Sequence, residues 1–226
     1  MAFGEHSAIV HYSANEHTNA LLQPRGLLLS DTGGHYLDGT TDITRTFVLG
    51  ALSDEEKRAL TLVLAAHLEL LHAVFPKGVR GSTLDGIARR PLWEHGLDFK
   101  HGTGHGVGFL LNVHEGPQRI SWHASNDAPL CEGMITSDEP GLYFEGKFGV
   151  RHESLVLCTS SEHEGFLKFE PLTCVPFDPE GIDRRFLTET QTAFLNEYQK
   201  WVRETLSPLL SEEDRAWLAE ITRSIQ

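Results

Sequence analysis

The sequence predicts an α+β fold with an antiparallel sheet. Short segments rich in apolar and β-branched residues occur in two parts of the chain, each with turn formers nearby, and helical patterns follow each part. The resulting order is strands, helices, strands, helices, which suits an antiparallel sheet covered by helices. The chain has 226 residues, of which 40% are apolar and 23% charged, so it is long and apolar enough to form a substantial core.

The first strands are predicted at residues 7–12, 26–31 and 42–49. A loop full of turn formers separates the second strand from the third, which predicts an antiparallel hairpin with a long connection. Two acids, Asp31 and Asp42, lie near the facing ends of this hairpin. Antiparallel pairing would place them side by side.

Two helices are predicted after this hairpin. The first begins at a capping box that starts at Ser53, carries apolar residues on one face, and is expected to stop at Pro76. The second is predicted over residues 82–95 and closes at Gly96. Pro91 lies inside it and should kink or shorten it.

The second half of the chain repeats the order of strands and helices. Strands are predicted at residues 133–139, 149–159 and 166–171. Helical patterns follow at residues 188–206 and 211–225. The chain therefore ends in a pair of helices.

A second pair of acids occurs in this half. Glu139 and Glu153 lie on the two strands of what looks like another hairpin, over residues 133–159. Between the two acid-bearing hairpins lie glycine-rich strings that contain three histidines, namely His101, His105 and His114. The sequence thus places candidate metal ligands on both hairpins and on the loops between them.

Four carboxylates gathered out of water cannot all stay ionised, because desolvation and mutual repulsion cost too much. Two divalent cations would neutralise them, and two-metal hydrolases hold such ions about 3.5–4 Å apart. One imidazole with four carboxylates suits Mn²⁺ and also allows Co²⁺, Zn²⁺ or Fe²⁺. Any one of these acids alone is more typical of a turn cap or a solvated strand, so the prediction depends on their occurring together.

Composition excludes other classes of function. Lys and Arg number 19 against 32 Asp and Glu, and the formal net charge of −13 argues against nucleic-acid binding. The sequence has neither the roughly 18 consecutive apolar residues of a membrane span nor a secretory signal at its start. Three cysteines fit neither a disulfide framework nor a zinc site. We therefore expect a cytoplasmic protein with no nucleic-acid or membrane partner.

Five ordered motifs resemble the Xaa-Pro aminopeptidase (aminopeptidase P) family of metallopeptidases, which has the pita-bread fold. The motifs are Asp31-Thr-Gly-Gly with Asp42-Ile-Thr-Arg-Thr, His101-Gly-Thr-Gly-His105-Gly-Val-Gly, Asn112-Val-His-Glu-Gly-Pro, Asp138-Glu-Pro-Gly and Gly149-Val-Arg-His-Glu153. The strings Asp38-Gly-Thr-Thr-Asp42 and Val113-His-Glu-Gly-Pro117 favour this branch over the methionine aminopeptidases. The resemblance continues into Phe169-Glu-Pro-Leu-Thr and the helical tail, which are similar to the C-terminal extension of larger cytosolic members.

The resemblance implies a catalytic domain over residues 1–175 that lacks its opening helices, and a helical extension over residues 176–226. The chain would then be the C-terminal portion of a larger member. On this basis the metal site is expected to form, with weak or absent activity in isolation. His152 replaces the aliphatic residue that is usual before the last glutamate, and no role is assigned to it.

The resemblance also implies a ligand set. Asp31 and Asp42 would hold one ion, His105 and Glu139 the other, and Asp42 and Glu153 would bridge them. A hydroxide between the ions would be the nucleophile, and Glu139 is similar to the acid that shuttles the proton. The implied cofactors are two divalent ions, with manganese the first choice.

Four more residues receive catalytic roles from the resemblance. His114 is similar to a histidine that contacts substrate near the scissile bond and assists proton transfer. His11 and His101 match other pocket histidines, and Arg151 matches an arginine that orders the metal-bound carboxylates. The implied substrates are peptides with proline at the second position, and the implied assembly is a homodimer.

Other functions stay open at this stage. A prolidase would take only Xaa-Pro dipeptides, whereas an aminopeptidase would take longer peptides. Pita-bread domains also occur as metal-free binding modules, and a shortened chain could be a folded but inactive fragment. Creatinase-like C–N hydrolysis shares the fold without this ligand set.

Overall fold

The computed structural model describes residues 1–123 and 128–226, and it confirms the α+β class. The strands are β1 (Ala2–Phe3), β2 (Leu27–Tyr36), β3 (Gly39–Val48), β4 (Val74–Pro76), β5 (Gly104–His105), β6 (Arg119–Ile120), β7 (Ile135–Asp138), β8 (Gly141–Phe144), β9 (Phe148–Arg151), β10 (Ser154–Ser160) and β11 (Phe166–Pro171). The α-helices are α1 (Asp54–Leu71), α2 (Gly81–Trp93), α3 (Glu189–Leu206) and α4 (Glu212–Ile221).

The first sheet is built on the hairpin of β2 and β3, with β1 at its edge. The hairpin is confirmed, but its predicted long connection is wrong. Pairing continues to Tyr36 and Gly39, so only two residues form the turn. The β-branched Thr40 and Thr41 extend the ladder over a stretch that composition alone marks as a loop.

The predicted strand at residues 7–12 is also wrong. Gly4–Ala8 forms a 3₁₀ helix, and the strand that pairs with β2 is Ala2–Phe3. The Ser7 hydroxyl donates to the Gly4 carbonyl at 2.7 Å and accepts from the Gly149 amide at 2.6 Å. The Ser7 side chain thus hydrogen-bonds the backbone of its own turn and that of Gly149, which favours the turn over an extended strand.

Helix α1 lies at the centre of the molecule. Its capping box at Ser53 is confirmed, but the helix ends at Leu71 and residues up to Pro76 form β4 instead. Leu64 and Leu68 pack into one apolar cluster with β10, β11 and α3, while Val63 packs into a second with β8 and β9. The helix is therefore the common support of both sheets.

Helix α2 covers most of its predicted range. It ends at Trp93, two residues after Pro91. Pro91 has no amide hydrogen to donate to the carbonyl four residues earlier, so the last turn of the helix lacks one hydrogen bond. Gly96 follows with φ of +69°, the left-handed conformation typical of a residue just after a helix.

The second sheet has the order β4–β11–β10–β7 and is antiparallel throughout. The predicted single strand at residues 149–159 is wrong, since it divides into β9 and β10. The chain changes partner at His152 and Glu153, so that β9 pairs with β8 and β10 pairs with β7 and β11. Glu153 lies at this change of partner.

The predicted single hairpin over residues 133–159 is wrong, because the β8–β9 pair is inserted between β7 and β10 and leaves Glu139 and Glu153 just outside the strands. One backbone bridge joins the β2–β3 hairpin to Glu153. The Glu153 amide donates to the Thr44 carbonyl at 2.9 Å, and these two residues form an isolated antiparallel bridge. A second bridge, between Gly106 and Thr136, joins the histidine loop to β7. The fold thus brings three distant parts of the sequence to one place.

The C-terminal helices pack onto this framework. Helix α3 begins at the capping box of Thr188 and Gln191, and α4 begins at Ser211 but ends at Ile221, earlier than predicted. Leu195 joins the same apolar cluster as the centre of α1. Among the helices of residues 1–123 and 128–226, none has the length and apolar character that crossing a membrane requires.

Close packing of β5 against β7 predicts that Gly104→Ala destabilises the protein. A Cβ at Gly104 would overlap the Ser137 carbonyl oxygen, so the strands must separate, at a cost of about 1–3 kcal/mol. Gly86→Ala is the matched control, because its Cβ would meet only the Trp93 ring at 4.0 Å. Gly86 lies inside α2, so this change should stabilise by about 0.5–1 kcal/mol. Urea unfolding of both variants measures the effects, and equal stabilities would contradict the packing.

Candidate metal centre

Five side chains meet between the two sheets, and they are the five predicted metal ligands. One ligand atom from each of Asp31, Asp42 and Glu153 lies within 4.8 Å of the other two. The same holds for His105, Glu139 and Glu153. Glu153 belongs to both groups, so the two candidate ion positions share a carboxylate.

The hairpin register explains how the two aspartates meet. Asp31 faces Thr44, and Asp42 faces Gly33, so the two acids are offset along the ladder and lie side by side, as predicted. They are diagonal neighbours on the same face of the hairpin. The bridge between Thr44 and Glu153 then brings the third carboxylate alongside them.

Backbone contacts also place Glu139 and His105. The Glu139 amide donates to the Thr103 carbonyl at 2.8 Å, and the His105 amide donates to the Ser137 hydroxyl at 2.9 Å. The Ser137 hydroxyl in turn donates to Glu139 Oε1 at 3.1 Å. The ends of β5 and β7 therefore hold both ligands in a fixed relation.

The orientation of His105 leaves its Nε2 free to accept a cation. Its Nδ1 lies 3.0 Å from the Gly106 carbonyl, which can only accept, so Nδ1 carries the hydrogen. Its Nε2 lies 3.3 Å from Glu139 Oε1 and 3.6 Å from Asp42 Oδ2. Burial lowers the pKa of His105 to about 4, so the ring is neutral near pH 7. A lone pair that faces two carboxylates is repulsive unless a cation lies between them.

The carboxyl groups show the electrostatic cost of this gathering. Burial, reinforced by the charge of Asp31, raises the pKa of Asp42 to about 6. Burial raises the pKa of Glu139 to about 8, although Arg151 opposes the shift. The pKa of Glu153 is raised well above its ordinary value by burial and then by the charges of Glu139 and Asp42. Without a cation, the group retains protons that bound metal would replace.

Arg151 contacts both groups of ligands from a buried position. Its Nη2 donates to Asp31 Oδ2 at 2.5 Å, and its Nε donates to the Thr44 hydroxyl at 3.2 Å. The Thr44 hydroxyl donates to Glu153 Oε2 at 2.7 Å. The arginine therefore fixes one ligand directly and another through Thr44.

A hydrogen-bonded chain leads from Arg151 to His101. Arg151 Nη1 donates to the Tyr143 hydroxyl at 3.0 Å, and that hydroxyl lies 3.0 Å from His101 Nε2. His101 Nδ1 lies 2.7 Å from the Gly102 carbonyl, so it carries the hydrogen and Nε2 accepts from the tyrosine. Burial lowers the pKa of His101 to about 4.

The other two predicted histidines lie at the open side of the centre. The ring of His114 is exposed and its centroid is 4.2 Å from that of His105. One ligand atom of His114 also lies within 4.8 Å of those of Asp42 and His105. His11 lines a cavity of about 290 Å³ together with Asp31 and Arg151. All nine residues singled out from the sequence thus lie at or beside this centre.

Sequence reasoning missed two residues of the centre. Thr44 lies two positions after Asp42 on β3 and therefore on the same face, and this spacing could have identified it from the sequence. Tyr143 gave no signal, since only the pairing of β8 with β9 places it beside Arg151. Both residues orient charged groups through their hydroxyls.

This fold and this carboxylate-rich centre are those of a metallopeptidase. Residues 1–160 match the model of metallopeptidase family M24, and residues 165–225 match the model of the C-terminal region of peptidase M24. The chain belongs to metallopeptidase family M24, and its α+β architecture is the pita-bread fold.

Individual relatives are consistent with this membership. The chain is 45% identical over 224 residues to "Probable Xaa-Pro aminopeptidase P" of Laccaria bicolor, covering 95% of this chain and 35% of that protein. The crystal structure of X-prolyl aminopeptidase from Caenorhabditis elegans, described as "a cytosolic enzyme with a di-nuclear active site", superposes with a TM-score of 0.93 at 38% identity. That match covers 98% of this chain and 37% of the other.

A dipeptidase is also similar. The structure of Xaa-Pro dipeptidase from Bacillus anthracis has a TM-score of 0.67 and 32% identity, and covers 78% of this chain and 46% of its own. The chain spans roughly a third of the length of the aminopeptidase relatives that it matches.

The raised carboxyl pKa values predict that the metal-free protein loses stability as the pH rises from about 6.5 to about 8. Glu139 has a pKa of about 8 when folded and an ordinary value of 4.5, so the folded state holds a proton that the unfolded state has released. Its contribution is fully present below 4.5 and is lost as the pH rises through 8. The low pKa values of His101 and His105 keep both rings neutral throughout this range.

Thermal unfolding with a chelator and with Mn²⁺ checks this prediction. The chelated protein should melt at a lower temperature at the upper pH, and Mn²⁺ should raise the melting temperature most at that pH. Glu139→Gln is the matched variant and should flatten the pH dependence of the chelated protein. A chelated protein that gains stability as the pH rises would contradict the assignment.

Proposed function

We propose that this chain carries the dinuclear centre of an aminopeptidase that hydrolyses the bond between an N-terminal residue and a following proline. The observation that carries the proposal is the position of Glu153, whose carboxylate belongs to both groups of ligand atoms. The similarity to aminopeptidase P relatives over nearly the whole chain supports the choice of substrate.

In this proposal the ligands divide between two ions. Asp31 and Asp42 hold one, His105 and Glu139 hold the other, and Asp42 and Glu153 bridge them. Neutral His105, with its free Nε2 aimed at Glu139 and Asp42, fits such a site without rearrangement. The oxygen-rich ligand set favours Mn²⁺, with Co²⁺, Zn²⁺ and Fe²⁺ as alternatives.

When bound, the two ions would polarise the peptide carbonyl and lower the pKa of a water between them, which supplies hydroxide as the nucleophile at neutral pH. Proline nitrogen is a tertiary amide without an N–H and must gain a proton as it leaves. Glu139 holds and transfers that proton at Oε1 or Oε2. His114 stands on the exposed side of His105, where it contacts the substrate and assists the transfer.

The remaining residues hold the reacting groups in place. Arg151 donates a hydrogen bond to Asp31 directly, and it orients Glu153 through the hydroxyl of Thr44. His101 and His11 border the same region, one buried behind Tyr143 and the other exposed. Buried donors of this kind keep charged ligands oriented without the cost of reorganising water.

A prolidase is the second candidate, because dipeptidases share the pita-bread fold. The Laccaria bicolor relative and the Caenorhabditis elegans structure cover 95% and 98% of this chain, against 78% for the Bacillus anthracis dipeptidase, which favours the aminopeptidase. A metal-free binding module is disfavoured because all five ligand positions hold competent side chains in mutual contact range. A cytoplasmic location and a homodimer complete the proposal on the basis of the family resemblance.

Hydrolysis assays with Mn²⁺ test the proposal. A tripeptide with proline at the second position should be cleaved after its first residue, and faster than an Xaa-Pro dipeptide. Asp42→Asn should lower kcat/KM by more than about 100-fold, the upper end of losses for residues outside the direct ligand set. Asp38→Asn makes the same change in the exposed hairpin turn and should leave activity unchanged.

Each result has a distinct meaning. Cleavage of dipeptides alone would identify a prolidase. Absence of cleavage with two ions bound would identify an inactive fragment. Retained activity in Asp42→Asn would contradict the metal mechanism itself.

A further inference from the structure

Arg45 is a buried cation directly behind the metal centre. It lies on β3, three residues after Asp42, and is 2% exposed. Its guanidinium lies 4.1 Å from the centroid of the Phe177 ring. The three guanidinium nitrogens donate to six oxygens, namely the carbonyls of Thr44 (2.9 Å), Glu153 (2.5 Å), Val175 (2.8 Å) and Pro176 (3.3 Å) and the hydroxyls of Ser154 (3.2 Å) and Tyr198 (2.9 Å).

One side of Arg45 holds β3 and the backbone of Glu153 together. Its Nη1 donates to the carbonyls of both Thr44 and Glu153, the residues that form the bridge between the hairpins. The Thr44 carbonyl also accepts from the Glu153 amide. The position of the Glu153 backbone relative to Asp42 therefore depends on this arginine.

The other side of Arg45 contacts the C-terminal region, which is the part of the chain after the second sheet, residues 172–226. Its Nε and Nη2 donate to the carbonyls of Pro176 and Val175 and to the hydroxyl of Tyr198 on α3. The Tyr198 hydroxyl accepts from Arg45 and donates to the Thr173 carbonyl at 2.7 Å. Tyr198 is 4% exposed, so its ring is held within the core.

All six oxygens that Arg45 contacts are neutral carbonyls or hydroxyls. A buried charge is tolerated only when its hydrogen bonds are complete, and removal of one partner exposes the full desolvation cost. Three of the six acceptors come from residues beyond the second sheet. The cation behind the metal centre is thus stabilised in large part by the C-terminal region.

We propose that the C-terminal region positions the bridging ligand Glu153 through Tyr198 and Arg45. Both are positioning residues, since they act on the ligand through its backbone and not on the substrate. This inference rests on the proposed dinuclear function. It makes the C-terminal region, residues 172–226, part of the metal centre rather than an independent appendage.

Tyr198→Phe tests the inference, because it removes the hydroxyl that Arg45 uses and keeps the ring that packs in the core. Thr192→Val is the matched control, since it also removes a buried hydroxyl from α3 and keeps the shape of the side chain. Thr192 is 6% exposed, and its hydroxyl donates to the Thr188 carbonyl at 2.9 Å within the helix. Both variants remove one hydrogen bond of α3, whereas only the first removes a contact of Arg45.

Calorimetric titration with Mn²⁺ supplies the measurement, with circular dichroism to compare thermal stability. Tyr198→Phe should weaken Mn²⁺ binding by about 10-fold, within the range known for residues that orient metal ligands. Thr192→Val should lose stability and bind Mn²⁺ as the parent chain does. The visible spectrum of the Co²⁺-loaded protein should change in Tyr198→Phe alone, because a displaced carboxylate alters the ligand field.

A double-mutant cycle with Arg45→Lys tests the route. If Tyr198 acts through Arg45, the two effects on Mn²⁺ affinity should be non-additive. Parental Mn²⁺ affinity in Tyr198→Phe, or equal weakening in both α3 variants, would overturn the inference while leaving the proposed function intact. Failure of the parent chain to bind Mn²⁺ would overturn the proposed function, and the inference with it.

Discussion

The structure depends on the close approach of four carboxyl groups that repel one another. The bridge between Thr44 and Glu153 enforces this approach, because it joins the hairpin that carries Asp31 and Asp42 to the Glu153 backbone between β9 and β10. The raised pKa of Glu139 expresses the energetic cost in the absence of a cation. Divalent ions would turn the same arrangement from a source of repulsion into a source of stability.

Rigid elements behind the centre resist that repulsion. Helix α1 supports both sheets, and Arg151 and Arg45 place positive charge on either side of the bridge. Arg151 contacts side chains that face the ions, whereas Arg45 contacts backbone carbonyls and the C-terminal region. Arg151 thus orients the candidate ligand side chains, whereas Arg45 fixes the backbone that carries them.

The sequence was sufficient to predict the class of fold and the members of the centre, because each candidate ligand lies in a distinctive local motif. It also predicted the capping box at Ser53, since the signal is contained within four residues. It was insufficient where pairing decides the outcome. The short turn after Tyr36 and the change of partner at Glu153 follow from register. The contact of Arg45 with Tyr198 joins residues 153 positions apart, which no local pattern reveals.

The most direct test is an anomalous difference map from crystals of the chain grown with Mn²⁺. The account predicts two peaks per chain about 3.5–4 Å apart, both in contact with the Glu153 carboxylate. Asp31 and Asp42 should contact one peak, and His105 and Glu139 the other. A single peak, or ions bound away from Glu153 at saturating Mn²⁺, would contradict it.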